Sequence, residues 1–196
     1  MITIGIQGKK GSFSEVAAKQ FAQTQQWNSY ELVYLVSSEN VLRAVENKTV
    51  NYGIFAMENA QGGVVIESVK ALAKYRCHII EMFHIMINQN LLTLPGLTIK
   101  EITEIHSHEQ ALRQCRNYLA THFWGLPLIE EVDTAEAARR LQAGELPKTA
   151  AVIANKTCAE LYHLQLLQAD IHDLKNNLTL FLAVKHYDED DESKNK

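Results

Sequence analysis

Residues 52–57, YGIFAM, are apolar at nearly every position. A strand with one face in water alternates apolar and polar side chains, so this run belongs in a sheet covered on both faces. Helical patterns on either side supply the cover. Residues 14–22 (SEVAAKQFA) place Val16, Ala17, Ala18, Phe21 and Ala22 on overlapping faces. From Ser37 and Ser38, which offer caps, to about residue 48, a second helix turns Val41, Leu42 and Val45 inward. Strands are expected at 1–6 and 31–36, a third helix at 65–75, and another strand from 78.

The pattern changes near residue 85. Strands are expected at 85–92, 102–106, 126–132 and 150–154, and helices at 109–122, 134–143 and 156–161, with a last strand at 178–185. Alternation of this kind predicts an α/β fold with mostly parallel sheets. A chain of 196 residues can build one large domain or two small lobes. The expected division is lobe 1 at about 1–85 plus 178–187, lobe 2 at about 86–170, and a returning linker at 171–177, around a central cleft. Residues 188–196 (DEDDESKNK) read as a disordered acidic tail.

Composition narrows the functional classes. At 46% hydrophobic and 21% charged residues, the chain is globular rather than disordered. No apolar run approaches the ~20 residues of a membrane span, and the N-terminus has no signal-peptide core, so a cytoplasmic location is expected. The net charge of −4 gives no support for nucleic-acid binding. Cys77, Cys115 and Cys158 lie far apart without CxxC spacing, which argues against a zinc site or a disulfide framework. His106 and His108 do not form a helical metal pair, and no metal site is expected.

Four segments can carry chemistry. Residues 7–15 (QGKKGSFSE) place two glycines around two lysines after a strand, with Ser12 and Ser14 at a helix start. Free N–H groups and hydroxyls there can hold a carboxylate or phosphate; the alternative is a plain turn with Ser14 as the cap. The segment lacks the Lys-Ser/Thr pair of a nucleotide-binding loop. Residues 57–63 (MENAQGG) put Glu58 and Asn59 at the C-terminal end of the buried strand, where α/β sheets bind ligands. Asn59 can donate and accept, or it can simply form a turn. In residues 105–115 (IHSHEQALRQC), Ser107 or His108 can cap a helix, and Thr134 is the expected cap of the 134–143 helix. Asn176, Asn177 and Thr179 open the last strand, where Thr is also an ordinary β-former. No Ser–His–Asp, Cys–His or paired-carboxylate arrangement stands out.

Taken in order, six segments carry a resemblance: IQGKKGSFSEVAA (6–18), FAMENAQGG (55–63), SHEQALRQCRNYL (107–119), DTAEAA (133–138), AAVIANKTCAELYHL (150–164) and NNLTLFLAV (176–184). Over about residues 1–185 the chain resembles the catalytic domain of prephenate dehydratases and arogenate dehydratases. The first segment is similar to that family's G-x-x-G-(S/T)-(F/Y)-S-E loop and the second to its V-E-N-S-x-x-G-(G/S) loop. The resemblance implies a type II periplasmic-binding-protein-like fold over 1–187 without the regulatory ACT domain. It implies a carbon–oxygen lyase that takes prephenate, a small dicarboxylate, to phenylpyruvate with no metal or organic cofactor. A cytoplasmic homodimer without nucleic-acid or membrane partners is the matching expectation.

The site implied by the resemblance has Thr179 assisting the leaving hydroxyl. Lys10, Gly11, Ser12, Phe13, Asn59, Gly62, Gly63, Gln89, Ser107, His108, Gln110, Thr134 and Phe181 are the implied substrate-binding set. Several positions depart from the family pattern. Leu180 replaces the Arg of its T-R-F motif, Ala60 and Val64 replace serines, and Gln89 falls near its usual His. Lys9 and Lys10 are candidates to restore the missing positive charge. The alternatives are a relative acting on arogenate, a non-aromatising prephenate decarboxylase, or a small-carboxylate-binding protein without turnover.

Overall fold

A computed structural model describes residues 1–188. The expected tail at 188–196 lies, beyond its first residue, outside the described residues. The chain divides into two compact units. Met1–Lys9, Phe13–Ile85 and the chain from Leu178 onward make the first; Lys10–Ser12 and Met86–Asn177 make the second.

The first unit runs β1 (Ile2–Ile6), α1 (Phe13–Thr24), β2 (Tyr30–Tyr34), α2 (Ser38–Glu46), β3 (Tyr52–Asn59), β4 (Gly63–Val64), α3 (Ile66–Lys74) and β5 (Cys77–Met86). The second holds β6 (Asn90–Thr93), a 3-10 turn at Ile99–Glu101, β7 (Glu104–Ser107), α4 (Glu109–Gln114), α5 (Arg116–His122) and β8 (Leu128–Glu130). It continues with α6 (Thr134–Gln142), β9 (Ala150–Ala154), α7 (Lys156–Leu161) and β10 (Gln165–Gln168), after which β11 (Leu178–His186) returns to the first unit.

The first sheet has the order β2-β1-β3-β11-β5, with β4 paired to β3. β1 is parallel to β2 and β3, and β11 is antiparallel to β3. The apolar run in β3 is central, with Gly53, Ile54 and Phe55 buried, and both faces are covered. On one face Val41, Leu42 and Val45 of α2 pack with Phe55, Leu182 and Val184. On the other, Phe83 stacks between Phe21 and Phe181, with ring centroids 6.1 and 6.3 Å away. Burying each such side chain contributes roughly 1.5–3 kcal/mol. A Cβ on Gly53 would lie 2.7 Å from Val41 Cγ1, so glycine is what lets α2 sit this close to β3. Ser37 caps α2 by accepting from the Asn40 amide at 3.2 Å.

The second sheet has the order β10-β6-β9-β7-β8. β7 is parallel to β8 and β9, while β6 is antiparallel to β9 and β10. All five residues of β9 are buried. Strand alternation sends Ala150, Val152 and Ala154 into a cluster with α6 and α7, and Ala151 and Ile153 into one with Leu112, Cys115 and Leu119. Both sheets are therefore mixed, parallel where helices cross over and antiparallel where strands return.

Three local expectations change. The helix read over 109–122 is two helices meeting at Cys115. Asp173 explains the break: its N–H donates to the Gln114 carbonyl at 2.7 Å and its carboxylate accepts from the Asn117 amide at 3.0 Å, taking two groups from the helical ladder. The strand read over 85–92 is interrupted at 87–89, where Ile87 exchanges hydrogen bonds with buried Asn177. The cap of α6 is Asp133, not Thr134: its carboxylate accepts from Ala135 and Glu136 amides at 2.8 and 3.1 Å, leaving Thr134 as the first helical residue. The strand β10, QLLQ, carries no alternation that would predict it.

Candidate active site

In the first unit, the centre of interest is the Asn59–Thr179 pair. The two residues stand directly opposite each other in the β3–β11 ladder. The Asn59 side-chain oxygen accepts from the Gln61 and Gly62 amides at 3.0 and 2.8 Å. That fixes the amide's orientation and turns its Nδ2 to donate to Thr179 Oγ1 at 2.7 Å. The Thr179 side chain is only 6% exposed. A hydroxyl that accepts at its oxygen keeps its own proton to donate. The pair is thus an oriented O–H donor, with the acceptor side already occupied. Gly62 contributes its N–H to this turn, and Gly63 pairs with Asn59 at a φ of 72°.

Leu180 points the other way. Successive residues of a strand alternate faces, so Leu180 leaves from the face opposite Thr179, and the ladder shifts register just after it, between Leu180 and Phe181. Its register partner is Glu58, whose side chain is exposed. An arginine at position 180 would stand across from the Glu58 carboxylate, away from the Thr179 hydroxyl. Phe181 itself is 2% exposed and belongs to the aromatic stack with Phe83, which makes it a core residue.

In the second unit, three parallel strands, β7, β8 and β9, deliver their carboxyl ends to one sheet edge. The helices α4, α6 and α7 begin just after them. That edge is where open α/β sheets bind ligands. Ser12 is buried, and the carbonyl of neighbouring Gly11 accepts from Asn155 Nδ2 and from the Cys158 thiol, the latter at 3.3 Å. Gly11 has a φ of 87°, and a Cβ there would lie 3.1 Å from Cys158 Sγ and 3.5 Å from Ala135 Cβ. Lys10 has an exposed side chain and a carbonyl that accepts from the Tyr162 hydroxyl at 3.2 Å. Phe13 opens α1 in the first unit and is half-buried.

Ser107 is fully buried and donates to the Ile153 carbonyl at 2.6 Å, so its proton is already engaged. His108 is the cap of α4, accepting from the Gln110 amide at 3.2 Å through Nδ1. Gln110 Nε2 is buried and has no hydrogen-bond partner among the described residues. An unpaired buried donor costs about 1–3 kcal/mol, which an arriving acceptor recovers. Next to Ser107, His106 lies between the Glu104 and Glu131 carboxylates at 2.7 and 2.9 Å, and Arg140 holds Glu131 at 2.6 Å.

Gln89 lies deeper than its place in the sequence suggests. It is 3% exposed and donates to Gln114 Oε1 at 2.9 Å, and its N–H donates to His172 Nδ1 at 3.3 Å. Burial, aided by the Lys175 ammonium, pushes the His172 pKa down, in keeping with a neutral ring that accepts at Nδ1. Asn155 is the residue that sequence reasoning missed. It caps α7, accepting from the Cys158 amide at 3.1 Å, and also holds Gly11. The available signal was an Asn directly after an apolar strand and before a helix.

Two mixed sheets with helices on their faces, and an edge of parallel-strand carboxyl ends beside capped helices, define a periplasmic-binding-protein-like α/β protein. The chain belongs to the prephenate dehydratase family, whose model matches residues 4–189. It is 33% identical over 183 residues to arogenate dehydratase/prephenate dehydratase 1, chloroplastic, of Arabidopsis thaliana, covering 93% of this chain and 45% of the relative. The chain spans about half the length of the first curated relatives it matches. Among solved structures, prephenate dehydratase from Arthrobacter aurescens in complex with L-Phe superposes with a TM-score of 0.86 at 24% identity, covering 95% of this chain and 61% of that one. A putative methionine-binding lipoprotein of Bacillus subtilis shares the fold more loosely, with a TM-score of 0.53 at 13% identity over 98% of this chain and 86% of that one. Among the described residues, no helix is long and apolar enough to cross a membrane.

Proposed function

We propose that this chain is a prephenate dehydratase, converting prephenate to phenylpyruvate with loss of carbon dioxide and water. The observation that carries the reading is the Asn59–Thr179 hydrogen bond, which leaves the threonine proton free to donate. In this reaction the bond from the ring to its carboxylate breaks, its electron pair completes the aromatic ring, and hydroxide leaves from the opposite carbon. The hydroxide needs a proton to depart as water. Thr179 is a weak acid, so its part is a hydrogen bond aimed at charge that grows on the leaving oxygen, with the proton drawn finally from solvent. Gln110 Nε2 is the donor we assign to a substrate carboxylate. In the same unit as Gln110, Ser12, the Lys10–Gly11 backbone and Thr134 are the other binding residues proposed, and Ser107 acts as a tie between β7 and β9. The protein works as a cytoplasmic homodimer in this reading.

Arogenate differs from prephenate in carrying an amino acid side arm in place of the keto acid, and the Arabidopsis relative is named for both substrates. Incubating the purified chain with each compound, and separating products by mass, tests the proposal. Phenylpyruvate from prephenate is the expected product. Phenylalanine from arogenate alone would move the reading to the second substrate. Tight calorimetric binding of prephenate without any product would replace the enzyme with a carboxylate-binding protein.

A further inference from the structure

Among the described residues, Trp124 is the most exposed of the large apolar side chains, at 86%. It stands in the turn from α5 to β8, next to Gly125, whose φ is 82°. Beside it runs a groove of about 490 Å³ between α4–α5 and β8, within the usual size of small-molecule sites. One wall is a helical stripe. Leu112, Arg116, Leu119 and Phe123 follow at spacings of four, three and four, in line across the break at Cys115. The other wall is one face of a strand, with Leu126, Leu128 and Glu130 at spacings of two. Leu112, Leu119 and Phe123 belong to the core beneath, so the floor is firmly packed. None of the residues assigned to the reaction lines this groove; Gln110, though on α4, is not in its walls.

We propose that the groove binds an aryl-substituted carboxylate, with the ring beside Trp124 and the carboxylate on Arg116. The charges around it choose this ligand. Glu109 and Arg113 face each other at 3.9 Å. Arg116 and Glu130 have no ion-pair partner among the described residues, and both are exposed. They lie at different depths along the groove. Phe123, Trp124 and Leu126 close one end, and they offer a ring apolar contact and an indole face. Arg116 follows about 10 Å along the helix from Phe123, with a long side chain whose guanidinium fork matches a carboxylate. Glu130 is farther, about 13 Å along the strand from Leu126, and its side chain is shorter. It stands opposite Ser107, at the end where α4 begins. A ring seated at the aromatic end therefore reaches the cation through a short arm and leaves the anion beyond it. A ligand with an ammonium head would meet Arg116 first and be repelled. This site stands whether or not the chain turns prephenate over.

Titrating the whole chain with 3-phenylpropanoate into the millimolar range, while following indole emission, tests this. The chain has two tryptophans, and Trp27 packs against Phe21 and Tyr52 in the first unit. The expected result is a blue shift that Trp124→Phe removes. The probe resembles the proposed product and can also enter the reaction site, so Gln110→Leu serves as the control and should leave the shift in place. Arg116→Ser should weaken binding roughly five- to tenfold, the loss of one charge-assisted hydrogen bond. Glu130→Gln should tighten it by about twofold. Phenethylamine, with the same ring and an ammonium head, should give no shift. No shift with 3-phenylpropanoate, or one that survives Arg116→Ser or vanishes in Gln110→Leu, overturns the site. An equal shift from phenethylamine, or weaker binding in Glu130→Gln, overturns the choice of a carboxylate. A blue shift that grows with protein concentration alone would make the groove a surface between copies instead. Arg116 and Glu130 are in water, so neither substitution disturbs the core.

Discussion

The two units treat their polar side chains differently. In the first, Asn59 and Thr179 meet in a way that leaves a hydroxyl proton unclaimed. In the second, Ser107 gives its proton to Ile153, and the Gly11 carbonyl is taken by Asn155 and Cys158. Both sets rest on small polar residues at or beside the end of a strand. The difference teaches that such a segment can present a reactive group or lock a backbone in place. Only the hydrogen-bond partners tell which.

Four substitutions can break or sharpen this contrast, from the largest expected effect to the smallest. Thr179→Val keeps the shape of the side chain and removes the donor; kcat should fall by about 10²–10³-fold, with a stability loss of about 1 kcal/mol for the acceptor taken from the Asn59 amide. A variant that retained wild-type turnover would remove Thr179 from the chemistry. Gly11→Ala should do the reverse, acting on folding. Its positive φ and the 3.1 Å approach of Cys158 Sγ together predict a loss of about 2–4 kcal/mol in denaturant unfolding. Ser107→Ala leaves the buried Ile153 carbonyl without its donor, at about 1–2 kcal/mol, with kcat little changed. If kcat fell as far as in Thr179→Val, the two units would not differ in the way described. Leu180→Arg is the mildest. It places a cation across from Glu58 on the face away from Thr179, so stability should shift by less than about 1 kcal/mol and kcat should hold. A large gain in kcat would show that the missing arginine acts on the reaction itself.

How much of this could be read in the sequence depends on how local the cause is. The buried strands YGIFAM and AAVIA announce themselves by composition, and α2 by Ser37 before its apolar stripe. The need for glycine at position 11 is also visible in the loop. What was not visible came from residues distant in the chain. Asn155 reaches Gly11 across 144 positions, and Asn59 reaches Thr179 across 120. The break between α4 and α5 is made by Asp173, 56 positions from the amide it accepts from. Within 109–122 nothing marks it, because the helical periodicity there is unbroken. Gln89 matched a motif position, and its burial against Gln114 and His172 follows from a fold that periodicity does not describe. Leu180 stood out as a departure from a pattern, yet only the register with Glu58 gives the departure a direction.

The place of β11 has a consequence for how the protein is born. It lies between β3 and β5 in the first sheet, yet it is the last of the described strands to leave the ribosome. Everything from Met1 to Ile85 must therefore wait, with a gap in its sheet, while the whole of the second unit is synthesised. During that interval β5 lacks its neighbour in the sheet, and the aromatic stack lacks Phe181. The second unit needs only Lys10–Ser12 from before it and can close around β9 as soon as Asn177 emerges. Synthesis and assembly thus run in opposite order: the half of the molecule that is made first is finished last, sealed by the strand that carries Thr179.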